Sequence, residues 1–317
     1  MKIHKVYSTT DVHVAGEAFR IIKDAPFIHY QSLEELYEQF PRVFAEEIPL
    51  LLNEPRGFAG LTGCLVVPPI SREADVAVLF FNHEGTVRFH YGGIVAVITA
   101  LLECGQLRPR PSNKYKIETV SGEIMVTAMM EKEEVDSVVL ESEPCQVIET
   151  NLPLAHPNLN TSYSLIQADA LYAVFHKRDL STEIQVEELT PLRKWGKTVS
   201  EALGQNTYVK GAILLDDSRL EDGRIKTITF LRDQAILRSP GFGPTMACYT
   251  DLLSKNRWSI EHSLINESIF NSKLEVQVAK LTESGYQYRL KSRGFITGIQ
   301  NFLLDPTDPL AAGFLLK

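Results

Sequence analysis

Arg88-Phe89-His90-Tyr91-Gly92-Gly93-Ile94-Val95-Ala96-Val97-Ile98-Thr99-Ala100-Leu101-Leu102 decides the fold. Polar and glycine positions run into an apolar segment with no charge until Glu103. That segment falls short of the ~20 residues needed to cross a bilayer. A helix that is apolar all round and entered through glycines predicts a helix buried in a protein core. Its N-terminus, beside His90, carries unpaired N–H groups and a partial positive charge, which suits a carboxylate or phosphate. The same pattern also serves a tight strand-to-helix turn with nothing bound.

An echo appears in the second half. Leu237-Arg238-Ser239-Pro240-Gly241-Phe242-Gly243-Pro244-Thr245-Met246-Ala247-Cys248-Tyr249-Thr250-Asp251-Leu252-Leu253 has the same layout. A strand-like lead-in over Ile228 to Leu237 meets an Arg and a glycine turn. A helix start follows, with Pro244 early, where its missing N–H costs nothing. Two such units roughly 150 residues apart predict a duplicated architecture with two helix N-termini able to face one another across a cleft.

Outward from these helices the chain alternates strand and turn signals. Lys2 to Thr10 and Ala18 to Lys23 read as strands joined by a turn over Asp11–Glu17. Ser32 to Phe44 reads as an amphipathic helix capped by Ser32, with Glu35 completing a capping box. Gly60–Val67 and Val76–Phe81 are apolar strands, and Lys114–Val120, Ile124–Met130 and Val135–Glu141 form three antiparallel ones. Val186–Leu203 reads as a charged helix interrupted by Pro191. The expected fold class is α+β: two pseudo-symmetric domains, each a mostly antiparallel sheet around a buried central helix. The boundaries fall at 1–134 plus 292–317 for the first domain and 135–291 for the second.

Composition bounds the function. The 317 residues are 44% hydrophobic and 23% charged with a formal net charge of -8, an ordinary globular balance. No basic run points to nucleic acid, and no apolar run reaches membrane length. The opening Met1-Lys2-Ile3-His4-Lys5-Val6 reads as a short amphipathic start rather than a signal peptide. Cys64, Cys104, Cys145 and Cys248 lack Cys-x-x-Cys spacing. They read as free thiols of a cytoplasmic protein, not as a zinc site or disulfide framework.

Several segments carry a resemblance. Asp11-x-His13-x-Ala15-Gly16-Glu17, Glu54-Pro55-Arg56-Gly57 with Pro68-Pro69, His83-Glu84-Gly85 and Arg238-Ser239-Pro240 resemble, in order, the motifs of the proline racemase family. Gly294-Phe295-Ile296-Thr297-Gly298 and Asp305-Pro306-x-Asp308-Pro309-Leu310 are similar to its C-terminal segment. That family comprises proline racemases, hydroxyproline epimerases and 3-hydroxyproline dehydratases. The resemblance implies a fold like that of diaminopimelate epimerase, no cofactor or metal, a homodimer, and a small proline-like amino acid held between two central helices. It also implies that Tyr91, Gly92, Gly93, Phe242, Gly243, Thr245 and His83 contact the substrate. His13 and Asn82 lie in matching segments too, as cleft-lining or turn-stabilising residues.

Both catalytic cysteines implied by the resemblance are missing. The first cysteine position, in a Met-Cys-Gly-His-Gly motif, holds His90, and the motif histidine is replaced by Gly92. The second, in Asp-Arg-Ser-Pro-Cys-Gly-Thr-Gly-Thr, holds Gly241, with Leu237 in place of the acid and Pro244 in place of a glycine. Inverting an α-carbon needs a proton acceptor on one face and a donor on the other. Gly241 has no side chain to serve as either. His90, with an unperturbed pKa of about 6.5, is the candidate single base. One base can support an elimination, and Gly241 opens space for a larger substrate or water. The readings are therefore an isomerase or lyase with altered chemistry, a ligand-binding protein without catalysis, or the family's ordinary racemase or epimerase activity.

Overall fold

The computed structural model describes residues 5–23, 28–156, 159–204, 208–305 and 307–316. The start of the first expected strand (residues 2–4) and Pro306 of the C-terminal motif lie outside them. The chain divides into two compact units, Met1–Leu140 with Ser292–Lys317, and Glu141–Lys291. The division follows the last strand of the first unit past the acidic turn at Lys132-Glu133, because Val135, Val138 and Leu140 of that strand are buried.

In the first unit β1 (Lys5–Val14) and β2 (Glu17–Ile22) form a hairpin, followed by α1 (Leu33–Val43) and α2 (Glu47–Leu52). Then come β3 (Thr62–Val67), β4 (Val76–Asn82), β5 (Gly85–Val87), α3 (Tyr91–Glu103), β6 (Lys114–Thr119), β7 (Gly122–Glu131) and β8 (Glu134–Glu141). The second unit holds β9 (Gln146–Pro153), the hairpin β10 (Ser162–Gln167) and β11 (Leu171–His176), α4 (Leu189–Leu203), β12 (Val209–Asp216) and β13 (Arg224–Leu231). α5 (Phe242–Ser254), β14 (Leu264–Ser268), β15 (Lys273–Thr282) and β16 (Gly285–Ser292) complete it. β17 (Gly294–Leu304) returns to the first unit and pairs antiparallel with β1 along its length.

Strand pairing shows the duplication. In each unit a hairpin is followed by a helical crossover into a parallel neighbour, β2 to β3 and β11 to β12. An antiparallel strand comes next, β4 or β13. The buried helix then crosses over to a second parallel neighbour, β6 or β14, with antiparallel partners β7 and β15 beyond. Most pairs in each unit are antiparallel, with two parallel joints where the helices cross over, a mixed sheet of an α+β fold.

α3 and α5 are each 13 residues long, and every residue from Tyr91 to Leu102 and from Phe242 to Leu253 is buried. The Thr99 hydroxyl donates to the Val95 carbonyl at 2.8 Å, which settles the polar atom of an apolar helix without a partner elsewhere. α1 begins as its sequence predicts: Ser32 Oγ accepts from the Glu35 N–H at 3.1 Å, and a Glu35 oxygen accepts from the Gln31 N–H at 2.7 Å.

Three expectations are corrected. β1 runs on to Val14, so the turn is only Ala15-Gly16, with φ of 50° and 91°. This is the two-residue geometry that matches strand twist, and buried Val12 and Val14 hold β1 to the sheet. The lead-in to α5 is not one strand from Ile228 to Leu237. β13 stops at Leu231, the chain turns through Gln234 at φ 67°, and Ile236 bridges back to Phe230. Pro191 does not interrupt a helix, because α4 begins at Leu189 and places the proline in its first turn, where no intrahelical N–H bond is due.

Candidate active site

The first turns of α3 and α5 correspond position by position. N-cap His90 matches Gly241, then Tyr91 matches Phe242, Gly92 matches Gly243 and Gly93 matches Pro244. The first N–H groups of a helix have no intrahelical acceptor. Both helices nevertheless withhold the third. At α3 the Gly93 N–H donates to His90 Nδ1 at 3.2 Å, and at α5 Pro244 has no N–H.

His90 is therefore a side-chain helix cap. Nδ1 accepts a hydrogen bond, so the ring proton resides on Nε2, which lies 3.1 Å from Glu17 Oε1. Both ring nitrogens are engaged within the first unit, and the partner of Nε2 is the partly exposed Glu17 carboxylate. Phe19 meets the imidazole edge-on at 5.1 Å. Gly92 and Gly93 let neighbouring rings approach: a Cβ would lie 2.9 Å from Phe19 Cζ and 2.5 Å from Phe80 Cε1 respectively. A side chain at Gly92 would require the Phe19 ring to shift.

Gly241 adopts φ 70°, ψ 136°, a region that side chains strongly disfavour. A Cβ there would meet Pro244 Cδ at 2.9 Å and Leu237 Cδ1 at 3.5 Å. The expected open space at Gly241 is thus filled by the same two residues that depart from the resembling motif. The Gly241 N–H donates to Ser239 Oγ at 2.8 Å. Thr245 is wholly buried; its hydroxyl donates to the Gly241 carbonyl at 2.6 Å and accepts from Asn266 at 2.9 Å. It braces the turn from inside.

The other expected residues serve the scaffold. His83 reaches Asn53 Oδ1 at 3.1 Å and the Phe58 carbonyl at 3.2 Å, and so pins the loop after α2. Asn82 accepts from the Glu84 N–H at 2.8 Å. His13 stacks on Phe295 with centroids 5.2 Å apart. Asp11 holds Arg20 through two bonds of 2.9 and 2.7 Å, and Arg20 reaches the Leu51 and Arg56 carbonyls. Arg56 in turn pairs with Asp308. The most recognisable motif residues thus clamp three distant segments of the first unit together.

Three of the four thiols are buried. Burial, helped by the Glu17 charge, pushes the Cys64 thiol well up, and burial does the same to Cys248. Burial and then the charge of Asp169 raise Cys145 to about 12. Among the described residues no group of three His, Cys, Asp or Glu is arranged to hold a metal, and no helix is long and apolar enough to cross a membrane.

Sequence reading missed two carboxylates. Glu17 stood inside a quoted motif but was not assigned to the site. Asp169, in the β10–β11 turn, lies against Gly243. The signal was available: both follow or form the turn of the first hairpin of their repeat, so extending the internal repeat from the helices back to the hairpins would have found them. A third cluster, His176 between Asp217 at 2.9 Å and Asp251 at 2.7 Å, lies near the other end of α5.

A duplicated α+β protein with a buried helix in each unit is the class defined by the fold. The family model described as proline racemase matches residues 9–315, and the chain belongs to that family. It is 30% identical to a trans-3-hydroxy-L-proline dehydratase of Bacillus cereus over 334 residues, with 100% of each chain covered. It is 22% identical to a proline racemase of Acetoanaerobium sticklandii, with 99% of each covered. A solved hydroxyproline epimerase from Agrobacterium vitis with bound trans-4-hydroxy-L-proline shares the fold at TM-score 0.86 and 24% identity, covering 100% of this chain and 96% of that one.

Proposed function

We propose that this chain binds a small proline-like amino acid and removes its α-proton from one side only, as a cofactor-independent lyase on a 3-hydroxyproline-like substrate. The observation that carries the reading is Gly241: it has no side chain, and its backbone conformation and filled surroundings leave no second proton carrier at that position. Homologues named as 3-hydroxyproline dehydratases support the choice of lyase over isomerase.

The Glu17–His90 pair handles the proton. His90 is a positioning residue: its capping bond fixes the tautomer, and its Nε2–H orients the Glu17 carboxylate. Glu17 accepts the α-proton. As a carboxylic acid it returns that proton to the departing 3-hydroxyl. The C–H and C–O bonds break, a C=C bond forms, water leaves, and the enamine tautomerises to the cyclic imine. The substrate carboxylate is held at the first amides of α3, where the helix dipole favours negative charge. The family expectation of a homodimer belongs to the same reading.

The test is incubation with trans-3-hydroxy-L-proline and with L-proline in D2O, followed by NMR. Water loss from the hydroxyproline is expected, with no stereochemical inversion of proline. Glu17→Gln should lower turnover at least ~100-fold, in the range usual for a lost general base. His90→Ala should lower turnover while keeping the ligand-induced rise in thermal stability. Unchanged turnover in Glu17→Gln would sink the assignment. A second reading, binding without turnover, holds if Glu17 serves only to anchor the capping imidazole; it predicts a ligand-induced Tm rise with no exchange at the α-carbon.

A further inference from the structure

The turn Ala168-Asp169-Ala170 places a carboxylate at the first turn of α5. A Cβ built on Gly243 would lie 1.7 Å from Asp169 Oδ1 and 2.8 Å from the Tyr172 hydroxyl. The carboxylate thus occupies the volume beside the second residue of the helix, and only glycine at 243 admits it. Lys210 Nζ reaches Oδ2 at 3.3 Å and lies 5.9 Å over the Tyr172 ring, which fixes the group from its outer side. The Asp169 side chain is 23% exposed, so its charge is not sealed in the core. Asp169 is close enough to bear on the Cys145 thiol, 4.0 Å from Met246 Sδ of the same helix.

A helix N-terminus attracts anions because its amides and dipole present positive charge. At α5 a carboxylate of the protein itself already stands against the second residue of the helix. An arriving carboxylate would meet a like charge and a filled volume, with the third amide already removed by Pro244. At α3 the corresponding hairpin sends Glu17 to the capping imidazole, 3.1 Å from Nε2, and not into the first turn beside Gly92. The two helix starts, alike in sequence layout, therefore differ in what they can accept.

We propose that Asp169 is a specificity-determining residue: it is a resident anion that closes the N-terminus of α5 to ligand carboxylates and leaves α3 as the carboxylate acceptor of this protein. The inference rests on the proposed amino-acid reading only for the identity of the ligand; the closure of α5 stands on Asp169 and Gly243 alone.

The experiment follows the backbone amide resonances of Gly92 and Gly243 in the full deuterated chain. Sulfate and pyrrole-2-carboxylate are titrated into wild type, Asp169→Ala and Asp169→Asn. In wild type the Gly243 resonance should not respond to either anion. In Asp169→Ala, where charge and bulk are both gone, it should move along a saturating curve at least tenfold tighter than any wild-type response. Asp169→Asn, which keeps the shape and loses the charge, should fall between the two and covers the case in which the alanine variant does not fold. A Gly243 response of equal strength in wild type overturns the proposal, as does silence of Gly243 in both variants. A Gly92 resonance that ignores pyrrole-2-carboxylate in every protein would count against the carboxylate assignment to α3 and the amino-acid reading. The Gly243 result would still decide whether α5 is closed.

Discussion

Placing a thiol at the head of α5 by Gly241→Cys should damage the protein without giving it racemase chemistry. Two costs follow from the geometry. The backbone at φ 70°, ψ 136° lies where a residue with a Cβ is strained by about 1–3 kcal/mol. The new Cβ also starts 2.9 Å from Pro244 Cδ and 3.1 Å from Cγ. That ring belongs to a buried helix turn and cannot swing aside, so overpacking adds about 1–3 kcal/mol. A central sum of about 4 kcal/mol, spread over a cooperative unit of roughly 150 residues, corresponds to a Tm lower by about 8–16 °C. Differential scanning calorimetry reads the shift, and the D2O assay reads inversion of proline. Gly241→Cys combined with Pro244→Gly should recover the overpacking share, about half the loss. A single variant within about 1 °C of wild type, or one that gains inversion, would refute the account of how this turn is built.

Two further outcomes are expected. Burial alone would raise the Asp251 carboxyl, but the hydrogen bond from His176 and the charge of Lys255 outweigh it and hold it below the ordinary carboxylate range; Asp216 is likewise held down, by Ser218 and Lys177 against its burial. A depressed folded-state value means the stabilisation is present above the unfolded value of about 3.9 and is lost as pH falls through the folded one. Urea unfolding midpoints should therefore hold down to about pH 4 and drop below it, with Asp251→Asn less stable at neutral pH and less sensitive to acid; an unchanged acid limb in that variant would contradict the role given to Asp251. Thiol titration of the native protein with an aromatic disulfide should modify Cys104 and spare Cys64, Cys145 and Cys248, which are buried, while all four react in denaturant; fast native labelling of any buried thiol would contradict their packing.

Much of the fold was legible because its signals are local. The apolar run after Gly93 has no charge to place at a surface, so a buried helix is its only stable outcome, and Ser32 with Glu35 announces the start of α1. The order of sheet neighbours was not legible in the same way. The parallel joints β2–β3 and β11–β12 depend on which edge a crossover reaches, and no spacing in the chain records that. At the site, that positions 90 and 241 hold no thiol was readable directly, and so was the placement of His90 at the head of α3. What His90 touches was not: its two bonds go to a backbone amide and to a carboxylate more than seventy residues away in the chain. Asp169 was invisible for the same reason, since its meaning comes from a glycine on another element. Gly241 was read as an opening because a missing side chain suggests room. The structure instead closes that room with Pro244, an outcome that requires knowing the sign of φ.

The pairing of β1 with β17, from Lys5 against Leu304 to Val14 against Gly294, sets an order of events during synthesis. The second unit is one unbroken stretch, Glu141–Lys291, and all of its strands are translated before β17 exists. The first unit, although translated first, waits with an unmatched edge along β1 until the last strand arrives to close it. The nascent chain must therefore shelter that edge while its younger neighbour completes itself.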